Sequence, residues 1–302
     1  MKTRIVHASV TKINEMLTHI GAGQPKEFQR SVRTLDVFTF WKATEFRTFL
    51  LYTGQVALKD VIPDKLYLHF MLLHCAIRIL ISPDLYYEKN KCAEDLLHLY
   101  VKQFSQYYGS GLVSYNVHNL LHLAQDSLRN GHLDTFSAFP FETFLGKIKR
   151  LLRTGSNSLT QVANRLQEKY NNSKPKQCLE YLYEAQVSKR IISNEIQIKY
   201  TEIKYKNFLL NTSNKNKWFL STNGLIAEFK YVEHINNEFV IVDNVINNKK
   251  AYFTYPMNSC HLHIYEADNE MVSVSVFKID EVFRKMFAVL LCNSYIFIPL
   301  CH

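Results

Sequence analysis

The hydrophobic pattern of this 302-residue chain changes its period once, and that change constrains the fold more than any other feature. Up to about residue 190, apolar side chains recur at the spacing of an α-helix. After about Ser193 they alternate with polar ones in short runs separated by Asn-rich turns, which is typical of β-strands. The sequence therefore predicts an α+β protein, with a helical part over residues 1–192 and a small β-rich domain, a barrel or sandwich, over 193–302.

The composition is that of a folded protein with a sizeable core. Hydrophobic residues make up 47% of the chain and aromatic residues 13%, which excludes wholesale disorder. The six cysteines form no CxxC pair, so we expect neither a zinc knuckle nor a disulfide ladder, and a reducing compartment. The most apolar stretch, 66–81, is interrupted by His69, His74 and Arg78 and is too short for a bilayer span. It therefore predicts a buried helix and no membrane partner.

Local signals place several of the elements. Pro63 opens a helix that Ser82 and Pro83 close, and a shorter helix over 41–52 is predicted to stop at Gly54. The run 218–229 contains an Asn-Gly turn between two apolar segments and predicts a β-hairpin. Further short strands are predicted over 238–245, 261–265, 271–277, 287–291 and 295–298.

The basic excess is confined to one part of the chain. Segment 147–206 carries thirteen Lys and Arg against five Glu, nearly the whole net charge of +9. A helix predicted over 141–153 directs four basic side chains to solvent, where they could contact DNA phosphates: Lys147, Lys149, Arg150 and Arg153. Its apolar residues Phe144, Leu145, Ile148 and Leu152 are expected to face inward. A solvated helix face followed by a basic linker explains the same pattern equally well.

Two histidines and one aspartate share a predicted helix face. His118, His122 and Asp126 follow one another at four-residue intervals, a spacing that would permit metal ligation. No Glu follows the first His as in the zinc-protease motif, and three leucines adjoin the second His. This favours a structural role in a polar network and leaves a metalloenzyme as an alternative.

Glu142 stands at a predicted helix start. Pro140 fits the first turn, where its missing N–H costs nothing, and Glu142 lies in the same turn. Such a carboxylate complements the helix dipole. Beside a basic helix, it is also what a metal-dependent phosphoryl-transfer site needs as one of its ligands.

A resemblance to a known family rests on several of these segments. They are NVHNLLHLAQDSLRNGHLDTFSAFPFETFLGKIKRLLR (116–153), PKEFQR (25–30), WKATEFRTFLLYTGQVALK (41–59) and YIFIPLCH (295–302). Together they resemble the C-terminal part of CACTA-type (En/Spm-like) DNA transposases and related animal transposase-domain proteins. The resemblance implies a partial RNase H-like core and localisation in the nucleus.

The resemblance also implies a catalytic role for one residue. Such transposases use two Asp and a late Glu to bind Mg²⁺ or Mn²⁺, and Glu142 is the position that matches the late Glu. Both Asp are expected upstream of Met1, so we expect no cofactor bound to this chain alone and no DNA cleavage. A truncated or domesticated remnant that binds DNA, an upstream catalytic segment or another protein is the leading hypothesis. The alternative is a non-catalytic protein-interaction module that uses the β domain.

Overall fold

The computed structural model describes residues 6–172, 185–193, 197–235, 238–246, 248–268 and 273–301. Helices occupy the chain up to residue 172 and strands follow from residue 186, which confirms the predicted α+β class. The predicted boundary between 192 and 193 falls within the first strand. None of the described helices has the length and apolar content that a membrane crossing requires.

The helical part is built around one buried helix. The helices are α1 (His7–Ala22), α2 (Ala43–Thr48), α3 (Gly54–Ala57), α4 (Asp64–Ile81), α5 (Asn90–Tyr108), α6 (Tyr115–Asn119), α7 (Leu123–Asn130), α8 (Phe139–Lys149) and α9 (Ser158–Asn172). As predicted, α4 begins after Pro63 and ends before Ser82. Its Met71, Cys75 and Ile79 are fully buried in the largest apolar core, which residues of α1 and α5 share.

The prediction that a helix stops at Gly54 is wrong. A π-helical turn, Phe49–Thr53, joins α2 to α3, and Gly54 continues the helix. A Cβ at Gly54 would lie 2.6 Å from Phe70 Cζ and 2.7 Å from the Phe49 carbonyl oxygen. This glycine therefore allows close packing against α4 rather than a chain reversal.

The strands form one branched antiparallel sheet. They are β1 (Gln186–Ser193), β2 (Gln197–Tyr205), β3 (Phe208–Asn211), β4 (Trp218–Ser221), β5 (Ile226–Ile235), β6 (Glu238–Ile246), β7 (Lys249–Ala251), β8 (Tyr265–Asp268), β9 (Ser273–Lys278), β10 (Val282–Leu291) and β11 (Ser294–Pro299). The main order is β1-β2-β5-β4-β10-β11-β8-β7, with β3 beside β2, and β6 between β5 and β9. The sheet curls so that β2 to β6 and β9 share one apolar core. The predicted hairpin over 218–229 is confirmed as β4 and β5.

The prediction of a strand over 261–265 is wrong for all but its last residue. Ser259–Leu262 forms a 3-10 turn, and β8 begins only at Tyr265. The Asn258 side chain accepts a hydrogen bond from the Cys260 amide at 2.9 Å. The buried Ser259 hydroxyl accepts from the Tyr252 amide and donates to the Ile264 carbonyl, both at 2.8 Å. Such side-chain bonds compete with a strand ladder and favour the turn.

The hairpin of β10 and β11 joins the helical part to the sheet. Because successive side chains of a strand point to opposite faces, each strand contributes to two cores. Phe287 and Ile298 enter the core of the helical part, together with Ile13 and Leu17 of α1. Met286 and Phe297 pack on the other face with Trp218. The hairpin is therefore a common wall of both cores.

A buried ion pair reinforces this wall. The Lys285 side chain, 0% exposed, donates to both carboxylate oxygens of Glu27 at 2.8 and 2.7 Å. It also donates to the Asn216 side-chain oxygen at 2.6 Å and to the Leu209 carbonyl at 2.8 Å. Burial lowers the pKa of Lys285, and the charge of Glu27 opposes that change. One ammonium group thus connects the α1–α2 loop with three parts of the sheet region.

Further hydrogen bonds cross the same junction. Arg78 of α4 donates through both terminal nitrogens to the Pro299 carbonyl at 3.1 Å. The Cys301 amide donates to the Tyr52 hydroxyl at 3.0 Å. The end of β11 is therefore fixed to the buried helices by polar groups as well as by apolar packing.

We predict that Lys285→Ala destabilises the protein by about 3–5 kcal/mol, because Glu27 is left buried without a counter-charge. The urea dependence of unfolding measures this. Lys250→Ala is the matched control, since Lys250 is largely exposed and lies 3.5 Å from Glu266. It should cost less than about 1 kcal/mol. A loss of similar size in both variants would contradict the role of the buried pair.

Asp243 is a second buried ionisable residue, without a counter-charge of this kind. It lies in β6, is 0% exposed, and neither carboxylate oxygen has a hydrogen-bond partner of ordinary geometry among the described residues. Asp243 pairs with Phe229 of β5, next to a β-bulge at Lys230. Burial raises the pKa of Asp243 to about 8, and the nearby Lys230 amide offsets only part of the rise. The carboxyl group is therefore protonated in the folded protein at neutral pH.

Asp243 should make stability depend on pH. The unfolded chain releases this proton near the ordinary pKa of about 4, whereas the folded protein keeps it to about pH 8. The contribution of Asp243 to the free energy of unfolding therefore decreases as the pH rises from about 4 to 8, and it stays at the lower value above pH 8. We predict that Asp243→Asn is more stable than the wild type at pH 8 by a few kcal/mol, with a smaller difference at pH 5. Urea unfolding at both pH values measures this, and an equal difference at both would contradict it. Asp268→Asn, at an exposed site, is the control.

Candidate functional site

The first turn of α8 has the predicted form. Phe139 begins the helix, Pro140 lies in its first turn, and the Glu142 amide donates to the Ala138 carbonyl at 2.9 Å. Because an amide in the first turn has no partner within the helix, the missing N–H of Pro140 costs no helical hydrogen bond. Glu142 lies in the same turn, where a carboxylate complements the helix dipole.

The structure does not surround Glu142 with metal ligands. Its side chain is exposed on α8. Over the residues that the structure describes, no three or more His, Cys, Asp and Glu side chains are grouped so that they could hold a metal ion. A two-metal site needs several carboxylates around ions about 4 Å apart. The described residues therefore do not fit Mg²⁺ or Mn²⁺ at Glu142.

The four predicted DNA-binding residues lie together at the end of α8. Lys147, Lys149, Arg150 and Arg153 are all exposed, and among the described residues none of them forms an ion pair. We call them the basic segment. The helix ends at Lys149 rather than at the predicted Arg153. Beyond Lys149 the backbone bonds span three residues: the Leu151 amide donates to the Ile148 carbonyl, and the Leu152 amide donates to the Lys149 carbonyl. Arg153 is fixed through its amide, which donates to Gln161 of α9 at 3.0 Å.

The apolar residues of α8 are less buried than predicted. Leu145 is 63% exposed and Phe144 is 52% exposed, so the prediction that they face inward is wrong. Ile148 and Leu152 are half-buried. Phe144 and Leu145 therefore leave apolar surface of α8 uncovered by the described residues.

The predicted histidine face is broken into short elements. His118 lies in α6 and Asp126 in α7, and a 3-10 turn that contains His122 separates them. Both histidine rings are exposed and contact each other edge to face, with centroids 5.6 Å apart. Asp126 is half-buried. The three side chains therefore stand at the surface.

The sequence did not predict a cleft between the helices and the sheet. Two cavities of about 350 and 520 Å³ lie there and share Asn207 as a wall residue. We call them together the junction cleft. Asn207 follows Lys206 at the turn between β2 and β3, and Lys206 has a positive φ of 51°. This turn carries two polar side chains between the cavities.

One ion pair spans the two cavities. Arg47 lines the first cavity and Asp134 lines the second. The Arg47 guanidinium donates to both carboxylate oxygens of Asp134 at 2.7 and 2.8 Å, in a bidentate arrangement. The same guanidinium lies 5.3 Å from the ring centre of Phe139. The start of α8 therefore borders the first cavity.

One wall residue of each cavity holds a buried polar atom without a partner. Thr44 Oγ1 belongs to a wall residue of the first cavity, and His132 Nδ1 to one of the second. Neither atom has a hydrogen-bond partner among the described residues, and both are out of reach of solvent. Burial of such an atom without a partner costs free energy.

The junction cleft was missed because its walls come from distant parts of the sequence. Arg30, Arg47, Asp134, Lys206 and Arg284 belong to separate segments, so no local pattern links them. Two segments of the helical part, 25–30 and 41–59, supply most of the walls of the first cavity.

Comparison with known proteins matches only the sheet region. Residues 185–300 match the model of a family described as a domain of unknown function (DUF8592). The match begins one residue before β1 and ends one residue after β11. No curated protein and no solved structure matches the chain. The similar region therefore coincides with the sheet and does not include α8.

The exposure of α8 leads to a prediction for stability. Leu145→Ser should change the free energy of unfolding by less than about 0.5 kcal/mol, because the side chain is already in water. Leu17→Ser, in the core of the helical part, should cost about 3 kcal/mol or more. Urea unfolding measures both. A large loss for Leu145→Ser would show that α8 packs against the body of the protein.

Proposed function

We propose that this protein binds DNA through the basic segment and is related to the C-terminal part of CACTA-type transposases. The proposal rests on four basic side chains that are exposed and that form no ion pair with a carboxylate within the described residues: Lys147, Lys149, Arg150 and Arg153. Exposed, unpaired cations can contact DNA phosphates and release their counterions, which is the main source of sequence-independent affinity. Such a function is exercised in the nucleus.

Under this proposal the chain does not cut DNA on its own. Glu142 is one exposed carboxylate, and the described residues supply no group of metal ligands around it. Cleavage by a metal pair would need further carboxylates from an upstream catalytic segment or a partner protein. The exposed Phe144 and Leu145 of α8 provide an apolar surface on which such a segment could pack.

A second candidate function follows from one edge of the sheet. Among the described strands, β9 pairs only with β6, so its other side is an edge. Val274 and Val276 of β9 are 71% and 58% exposed. An exposed apolar edge strand can pair with a strand of another protein. Binding of a protein partner that survives nuclease treatment, with no affinity for DNA, would favour this interaction module.

We predict salt-dependent and weakly sequence-selective DNA binding. Four phosphate contacts give a slope of about −3.6 when the logarithm of the binding constant is plotted against the logarithm of the salt concentration. The affinity for DNA should therefore fall about 100-fold between about 50 and about 200 mM salt. Fluorescence anisotropy with two unrelated duplexes measures this. Equal affinity at both salt concentrations would contradict the proposal.

Replacing the basic segment should abolish binding. The variant Lys147→Glu, Lys149→Glu, Arg150→Glu, Arg153→Glu reverses four charges at exposed positions. The control reverses four charges on other exposed helix positions: Lys12, Lys65, Lys102 and Arg129. Both variants have the same net charge, so only the location of the cations differs. If both lose affinity equally, overall charge rather than the basic segment binds DNA.

A further inference from the structure

We propose that the junction cleft binds a nucleoside phosphate, with the phosphate in the first cavity and the aromatic base in the second. The two cavities, of about 350 and 520 Å³, lie in the size range of small-ligand sites. They meet at Asn207, whose side-chain amide can both donate and accept hydrogen bonds. The ligand would cross this residue.

The charge of the walls indicates an anion. Among the described residues, five cations and two carboxylates line the cleft: Arg30, Arg47, Lys206, Arg284 and Lys285, and Glu27 and Asp134. Three of the cations already have carboxylate partners: Arg47, Arg284 and Lys285. The other two, Arg30 and Lys206, are exposed and form no ion pair within the described residues. They are therefore available to a ligand.

The first cavity suits a phosphate group. Arg30 offers a planar set of donors that matches phosphate oxygens. The Arg47 guanidinium, held by Asp134 and Phe139, adds fixed positive charge to the same wall.

The second cavity suits an aromatic base. Phe208 and Phe283 line it and offer apolar ring surface. The side-chain amide of Asn207, where the two cavities meet, can donate to and accept from the edge of a base. Base recognition by stacking with one or two hydrogen bonds is common in proteins that bind single nucleotides or unpaired strands.

The inference does not depend on the proposed function. None of the four residues of the basic segment lines the cleft. The same chemistry could come from a free nucleotide or from the 5′-phosphorylated end of a nucleic-acid strand. Phe139 borders the cleft and begins α8, so a strand end could reach it from DNA on the basic segment.

Calorimetric titration of the full chain with dAMP and with deoxyadenosine tests the proposal. We expect dAMP to bind at least tenfold more tightly, because the nucleoside lacks the phosphate. Arg30→Ala, in the first cavity, should weaken dAMP binding about tenfold, as loss of one charge-assisted contact does. Phe283→Ala, in the second cavity, should weaken the binding of dAMP and of deoxyadenosine alike, because it removes ring surface from the base. Arg129→Ala and Lys65→Ala, at exposed positions outside the cleft, should have no effect.

A second titration distinguishes the two sources. If 5′-phosphorylated (dT)10 binds more tightly than dAMP and is equally sensitive to Arg30→Ala, the ligand is a strand end. If dAMP binds more tightly, it is a free nucleotide, and either result supports the proposal. No binding of either probe, or binding that neither cleft variant weakens, overturns it. The variant with the basic segment reversed should still bind dAMP, so failure of DNA binding and failure of this proposal remain separate results.

Discussion

The ion pair between Lys285 and Glu27 fixes how the helical part sits against the sheet. A fully buried lysine is tolerated in a folded protein only where its charge is balanced and its N–H groups have acceptors. For Lys285, Glu27 balances the charge, and Glu27, Asn216 and Leu209 accept the hydrogen bonds. These partners come from separated parts of the chain, so the network forms only when all of them are in place. The junction cleft depends on this arrangement, because Glu27 lines its first cavity and Lys285 its second.

Local signals in the sequence predicted the parts of the fold that local chemistry determines. Proline and serine bound α4, and Pro140 sets the start of α8, because these residues act within one turn. Gly54 was misinterpreted since its role lies in packing against Phe70, which the local pattern does not contain. The strand predicted over 261–265 was wrong for a related reason. The buried hydrogen bonds of Ser259 stabilise a turn at Ser259–Leu262, although the apolar pattern there favours a strand.

The candidate sites show the same division. The basic segment was predicted because charge and helical spacing are visible in the sequence, and its exposure required only that α8 lie at the surface. The junction cleft could not be predicted, because Lys285 and Glu27 are 258 positions apart and its other walls are equally scattered. Phe139, at the start of α8, lines the first cavity, and the basic segment begins in the last turn of the same helix.

The hairpin of β10 and β11, with its buried ion pair, makes the helices and the sheet one folding unit. Of the two tryptophans in the sequence, Trp41 lies in the helical part and Trp218 is buried in the sheet. In the variant Trp41→Phe, fluorescence reports the sheet and circular dichroism at 222 nm reports the helices. Coinciding urea transitions of both signals are the predicted result. Two transitions at clearly different urea concentrations would contradict the account.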